Sequence, residues 1–269
     1  MQTLTSNTDH RGVLTLTLQR PEVHNAFDAR MIGELTTALT TADASEAVRI
    51  VVVTGAGKCF SAGADMHWMR SLVDASEADN HADALRLARL MRTLNYLSKP
   101  TIASINGAAF GGGLGLIAAC DITIAAESAR FGLTEARLGL APAVISPYVF
   151  RRIGEGNARR YFLTGERFGC RRALDIGLVQ QAVAEEELDG AVEAVVRQLL
   201  LSGPEALRQC KQLVFGVAGH DRAKQKTMDE YTAGLIARLR VSAEGQEGLA
   251  AFLEKRQPGW VEKQQNEDG

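Results

Sequence analysis

With 269 residues, 46% hydrophobic content and 26 glycines, the chain is long enough for one large α/β domain, or for a core domain with a smaller appendage. Its formal net charge of -2 supplies no general attraction to nucleic acid or to an anionic membrane surface. No apolar run approaches the roughly 18 residues of a membrane span, and Met1 to Ser6 lack a basic stretch followed by an apolar core, so a cytoplasmic location without a membrane partner is expected.

Leu4-Thr5 and the alternating Val13-Leu14-Thr15-Leu16-Thr17-Leu18 flank the turn-forming Asn7 to Gly12, which predicts a hairpin with Leu14, Leu16 and Leu18 on its buried face. Asp28 is placed to cap a helix carrying Met31, Ile32, Leu35, Leu39 and Ala42 on one stripe. Ile50 to Thr54 reads as a fully buried strand. A loop over Gly55 to Gly63 precedes a short helix that starts around Ala64 and Asp65, and the polar Ser71 to Asn80 predicts a mobile loop. A helix over 82–97 ends at Ser98-Lys99-Pro100. Thr101 to Ile105 is then a strand, Gly113 to Cys120 a short buried helix, Asp121 to Ala125 a strand, and Phe131 to Leu133 a shorter one before a candidate cap at Thr134.

After Gly139-Leu140-Ala141-Pro142 the pattern turns helical, over 146–153, 155–164, 171–176 and 188–201, with one strand at Val179 to Val183. Ser202-Gly203-Pro204 separates a core over 1–202 from a region at 203–269, whose helices near 204–217, 223–240 and 243–255 are too short to form their own core. That tail is expected to pack on the main domain of its own or a neighbouring subunit, which predicts an oligomer.

Two loops that each follow a buried strand carry small residues where backbone must be accessible: Phe60-Ser61-Ala62-Gly63-Ala64-Asp65 and Gly111-Gly112-Gly113. Side by side, they could aim one N–H each at a single oxygen and stabilise the charge of an enolate. Enolate chemistry also needs an acid or base. Glu135 is the candidate, because its apolar neighbourhood would raise a carboxylate's pKa toward a value useful for proton transfer. The five histidines form no ligand-spaced pair, though His67 follows the first loop and is worth watching. Cys59, Cys120, Cys170 and Cys210 are far apart and read as reduced thiols, not a disulfide framework or metal site. Gly111 to Leu116 lacks the last glycine of a dinucleotide fingerprint, and Gly55 to Cys59 lacks the remaining parts of a P-loop.

Over nearly its full length the chain resembles the crotonase superfamily, the enoyl-CoA hydratase/isomerase family. The matching residues are Arg20-Pro21 with Asn25-Ala26, Phe60 to Met66, Asn106 to Gly113, Cys120-Asp121-Ile122, Phe131 to Glu135, and Phe252 to Arg256. The resemblance implies a spiral of ββα units, a C-terminal helical trimerisation region, and a homotrimer or dimer of trimers binding an acyl-CoA thioester. It implies no cofactor other than the coenzyme A carried by the substrate.

It further implies that Ala64 and Gly112 donate to the thioester oxygen and that adenine lies against Ala26, Ala62 and Ala64, with Asp65 in the same binding loop. Phe252 and Lys255 match positions that touch a neighbour's nucleotide. The lysine that some relatives place near the CoA phosphates is missing around Glu22-Val23. Typical hydratases of this family carry two glutamates, whereas here the first position is Gly115 and only Glu135 remains. The absent side chain is expected to leave room near the β carbon for a branched or carboxylated acyl group. The run Leu138 to Tyr148 is similar to bacterial hydratases acting on 3-methylglutaconyl-CoA or isohexenylglutaconyl-CoA. Hydration of such a branched 2-enoyl-CoA is the leading reading. A double-bond isomerase using Glu135 as its single base is the alternative, and an RNA-binding relative using Arg86, Arg89 and Arg92 is a remote one.

Overall fold

The computed structural model describes residues 1–261, so the last part of the expected C-terminal region, 262–269, lies outside the described residues. The N-terminal strands β1 (Leu4–Thr8) and β2 (Val13–Leu18) pair antiparallel, as their alternation predicts. Asp28 accepts a hydrogen bond from the Met31 N–H and starts α1 (Ala29–Ala44), which buries the expected Met31, Ile32, Leu35, Leu39 and Ala42.

A strand–strand–helix unit then recurs. β3 (Ile50–Gly55) leads into the short β4 (Cys59–Ser61), followed by α2 (Met66–Val73) and α3 (Glu77–Asn95). β5 (Thr101–Ile105) leads into β6 (Ala108–Phe110) and α4 (Gly112–Ala119). β7 (Ile122–Ala126) leads into β8 (Arg130–Gly132), a 3-10 turn at Glu135–Leu138, and α5 (Ser146–Thr164). The longer strands align in parallel as β2-β3-β5-β7 within a six-stranded sheet. The short ones align as β4-β6-β8 in a second sheet of four, completed by antiparallel β9 (Arg167–Gly169). The result is a mixed α/β spiral of ββα units.

The burial of β3 on both sides follows from this layering. Leu14, Leu16, Leu18, Val51 and Val53 join the main core under α1, α3 and α4. Val13, Ile50, Val52, Ile102 and Ile124 face the other way and are covered by Leu188 and Val196. These belong to α7 (Leu188–Leu200), which follows α6 (Cys170–Asp175) and the edge strand β10 (Gln181–Val183). A strand enclosed in this way has no polar face to alternate.

Several expectations shift. Only 74–76 separate α2 from α3, because Ser76 accepts from the Asp79 N–H and caps α3 where a loop over Ser71 to Asn80 was expected. Thr134 makes no capping hydrogen bond and is followed by the 3-10 turn, not an α-helix. The three-residue strands β4, β6 and β9 are too short to show a periodicity. The break expected between 153 and 155 is present as a kink at Gly154, where φ is 75° and ψ 162°.

The C-terminal helices are α8 (Pro204–Val217), α9 (Arg222–Val241) and α10 (Ala243–Leu253). They pack unequally on the rest of the chain. α9 lies along α3, where Ala84 and Ala88 meet Ala233 and Ile236, and small side chains allow a close approach. α10 packs on α2 and on the 3-10 turn. α8 buries none of its residues and exposes Leu213, Val214 and Val217.

Candidate active site

The two small-residue loops lie side by side. A Cβ built on Gly111 would stand 3.9 Å from the Gly63 Cα. The first loop is held by an isolated parallel bridge between Phe27 and Ala64, in which the Phe27 N–H donates to the Gly63 carbonyl and the Asp65 N–H donates to the Phe27 carbonyl. Because the bridge uses the groups on either side of Ala64, the Ala64 N–H itself points away from it. Gly112 opens α4, so its N–H has no intrahelical acceptor, and the preceding Gly111 has no side chain with which to cap it. Gly111 takes φ 48°, a region that favours glycine.

Ala62, Ala64, Gly111 and Gly112 all line one cavity of ≈ 320 Å³, whose other walls are largely apolar. Glu135 lines it too, and is the one carboxylate among the described residues that does. A Cβ on Gly111 would lie 3.1 Å from Glu135 Oε1, which sets the carboxyl directly against the α4 N-terminus. Glu135 Oε2 is buried and has no hydrogen-bond partner among the described residues. Burial pushes the carboxyl from its usual 4.5 up to about 7, while a hydrogen bond from its own backbone N–H acts in the opposite direction. The arrangement can therefore hold a proton acceptor and two backbone donors around one apolar space.

The remaining predicted residues are distributed differently. Asp65 does not line the cavity. It is buried, caps α2 by accepting from the His67 and Trp68 N–H groups, and pairs with Arg20 at 2.8 Å. Burial works against its charge, but those amides and the guanidinium prevail and hold it below the ordinary carboxylate range. Its side chain shapes the loop expected to bind CoA. Arg20 also donates to the Ala26 carbonyl, and Asn25 donates to the carbonyls of Ala56 and Cys59. The Arg20, Asn25 and Asp65 motif residues thus form a clamp beneath the loop. Ala26 is buried within that clamp and does not line the cavity. His67 is exposed and also lies outside the cavity lining.

Gly115 overturns a further expectation. It is buried on the core side of α4, where a Cβ would lie 2.3 Å from Ile145 Cγ2 and 3.2 Å from Met91 Cε. The volume left by an absent side chain is already filled, and Gly115 does not line the cavity. Phe252, which the resemblance matches to a position touching a neighbour's nucleotide, lines the cavity of its own chain. Lys255 is exposed just beyond α10, its N–H donating to the Phe252 carbonyl. Arg86 and Arg92 are ion-paired with Asp83 and Asp229, so they do not form a row of unpaired cations on α3.

A family model described as "Enoyl-CoA hydratase/isomerase" matches residues 8–264. The chain belongs to the enoyl-CoA hydratase/isomerase family. It is accordingly an enzyme of the crotonase superfamily, and an acyl-CoA thioester is the substrate consistent with that membership. Among its relatives is the mevalonyl-coenzyme A hydratase of Aspergillus fumigatus, 33% identical over 92% of this chain and 91% of the relative. The crystal structure of an enoyl-CoA hydratase from Shewanella pealeana is 44% identical with a TM-score of 0.78, covering 96% of both chains. That of an enoyl-CoA hydratase from Mycobacterium avium is 36% identical with a TM-score of 0.84, covering 96% of this chain and 99% of the other.

In this family member the cavity contains residues that motif reading passed over. Phe27, Trp68, Ile236 and Arg240 line it from α2, α9 and the segment before α1. One signal was available: Arg240 falls four residues after Ile236 on the apolar stripe of α9, where a charged side chain is out of place.

Proposed function

We propose that this family member hydrates a branched 2-enoyl-CoA of the 3-methylglutaconyl type, working as a cytoplasmic homotrimer or homohexamer with no cofactor beyond the coenzyme A of its substrate. The observation that carries the mechanism is Glu135, the one carboxylate lining the cavity among the described residues, with a raised pKa and set against the Gly111-Gly112 junction. The N–H groups of Ala64 and Gly112 receive the thioester oxygen. As carboxylate, Glu135 takes a proton from water while the water oxygen bonds to the β carbon, and the C=C electron pair moves onto the thioester as an enolate. Glu135 then returns the proton to the α carbon. One water is consumed, and the carboxylate is regenerated.

The branched acyl group is supported by the run from Leu138 to Tyr148, which resembles hydratases of branched glutaconyl thioesters and supplies Leu138, Leu140, Pro142, Val144 and Ile145 to the cavity wall. A relative named for mevalonyl-coenzyme A, itself a branched thioester, is compatible with this reading. A panel of enoyl-CoA esters tests it, and no hydration of any branched glutaconyl ester would sink the substrate assignment. Product analysis in ¹⁸O-labelled water distinguishes isomerisation, which incorporates no label. The oligomer would cover the exposed Leu213, Val214 and Val217 of α8, and light scattering on the purified protein checks its mass.

A further inference from the structure

Among the described residues, Arg240 is the interior cation of the cavity. Its side chain retains 14% of its exposure and lines the cavity alongside Leu72, Leu87 and Ile236. Arg137 and Arg167 also line it, but both are exposed, and Arg167 lies 5.0 Å over the Phe110 ring. A guanidinium set among apolar side chains is costly unless its charge and its donors are matched.

Here they are matched only in part. Arg240 Nη1 donates to Asn80 Oδ1 at 3.3 Å and to Asp83 Oδ2 at 3.5 Å, both at the long limit of hydrogen bonding. Nη2 and Nε donate to nothing among the described residues. Asp83 is shared, because its Oδ1 also accepts from Arg86 at 2.8 Å. One carboxylate therefore faces two guanidinium groups, and the cluster keeps a surplus positive charge on the cavity side. Burial pulls the Arg240 guanidinium below its ordinary pKa, with Asp83 pushing it back up, as expected for an incompletely compensated cation.

We propose that Arg240 selects the acyl group, its Nη2 and Nε receiving the terminal carboxylate of a dicarboxylic enoyl thioester. The inference rests on the reading of the cavity as the acyl site of an enoyl-CoA hydratase. A carboxylate supplies the missing counter-charge and matches the planar donor fork of arginine, which a neutral alkyl end cannot do. Arg240 thus acts on substrate choice, while Glu135 carries the proton.

The test separates binding from turnover. Calorimetric titration of the full chain with the saturated thioesters glutaryl-CoA and pentanoyl-CoA should show glutaryl-CoA bound about 10- to 100-fold more tightly. Arg240→Met should abolish that preference. Arg240→Gln, which keeps hydrogen-bonding capacity toward Asn80 and Asp83 without the charge, should do the same and serves if Arg240→Met fails to fold. Equal binding of the two thioesters by the unaltered protein, or a preference that survives both substitutions, overturns the inference. Hydration of glutaconyl-CoA and of 2-pentenoyl-CoA is then measured on the same proteins, and the loss should fall on KM for the carboxylated ester. A charge preference that depends on Arg240 without any hydration supports the inference and overturns the hydratase reading. Hydration without a charge preference does the reverse.

Discussion

The wall of the cavity built by strand-to-helix junctions and the wall built by the C-terminal helices reach the same space by different means. The first presents backbone: the N–H groups of Ala64 and Gly112, held by the Phe27–Ala64 bridge and the start of α4, with Glu135 as its one carboxyl group among the described residues. The second presents side chains alone, Ile236 and Arg240 from α9 with Leu249 and Phe252 at α10. Backbone donors are fixed by the fold and need no reorganisation when charge develops, whereas side chains can be exchanged without moving the frame. In the proposed reading, chemistry belongs to the junction wall and substrate choice to the helical one.

The largest expected effect lies on the junction wall. Glu135→Gln should lower kcat by about 10³-fold, since one group is asked to serve as both base and acid. Steady-state hydration assays check this, and a decrease of less than tenfold would remove Glu135 from the proton pathway.

Next comes the contrast between Gly112, which faces the cavity, and Gly115, which faces the core. Installing the carboxylate that typical hydratases carry, by Gly115→Glu, should cost at least ~3 kcal/mol and should not raise activity, because Ile145 and Met91 occupy the space. Gly115→Ala should cost about 1–3 kcal/mol by the same contacts. Denaturant titration measures both. A Gly115→Glu protein that is stable and faster would show that the space is available after all.

The pH dependence follows from the direction of the Glu135 shift. The free enzyme must carry the carboxylate, so kcat/KM should rise with pH and level off above an inflection near about 7. The stability effect has the opposite sign. With the folded-state pKa raised from 4.5 to about 7, the folded protein binds the proton more tightly than the unfolded chain, and stability is lost as pH rises between those values. Glu135→Gln should therefore gain stability over the unaltered protein across that window, by about 2–3 kcal/mol at its upper end. A gain that is flat between pH 4 and 8 would mean that burial does not shift this carboxyl.

The smallest effect belongs to the rim of the helical wall. Phe252 keeps 43% of its exposure, so Phe252→Ala should raise KM by only about two- to fivefold and leave kcat within twofold. A larger rise would mean that Phe252 makes a closer contact with substrate than its exposure suggests.

Much of this could be read from residues in order. The hairpin, the Asp28-capped helix, the buried β3 and the C-terminal helices all announced themselves through alternation, capping chemistry or apolar spacing. Glu135 and the two glycine-bearing loops were visible because a carboxyl in apolar surroundings and residues without side chains leave local marks. The short strands β4, β6 and β9 left none, since three residues hold too few alternations to register.

What the sequence alone determined, therefore, was the set of local choices: which segments twist into strands, which coil into helices, and which stretches leave backbone accessible. Only the tertiary structure decided which residues share a space. It turned Asp65 and Ala26 into parts of a clamp, filled the place beside Gly115 with Ile145, and brought Phe252 and Arg240 from the far end of the chain to the cavity of Glu135. These outcomes depend on contacts between residues distant in sequence, and local pattern carries no record of such contacts.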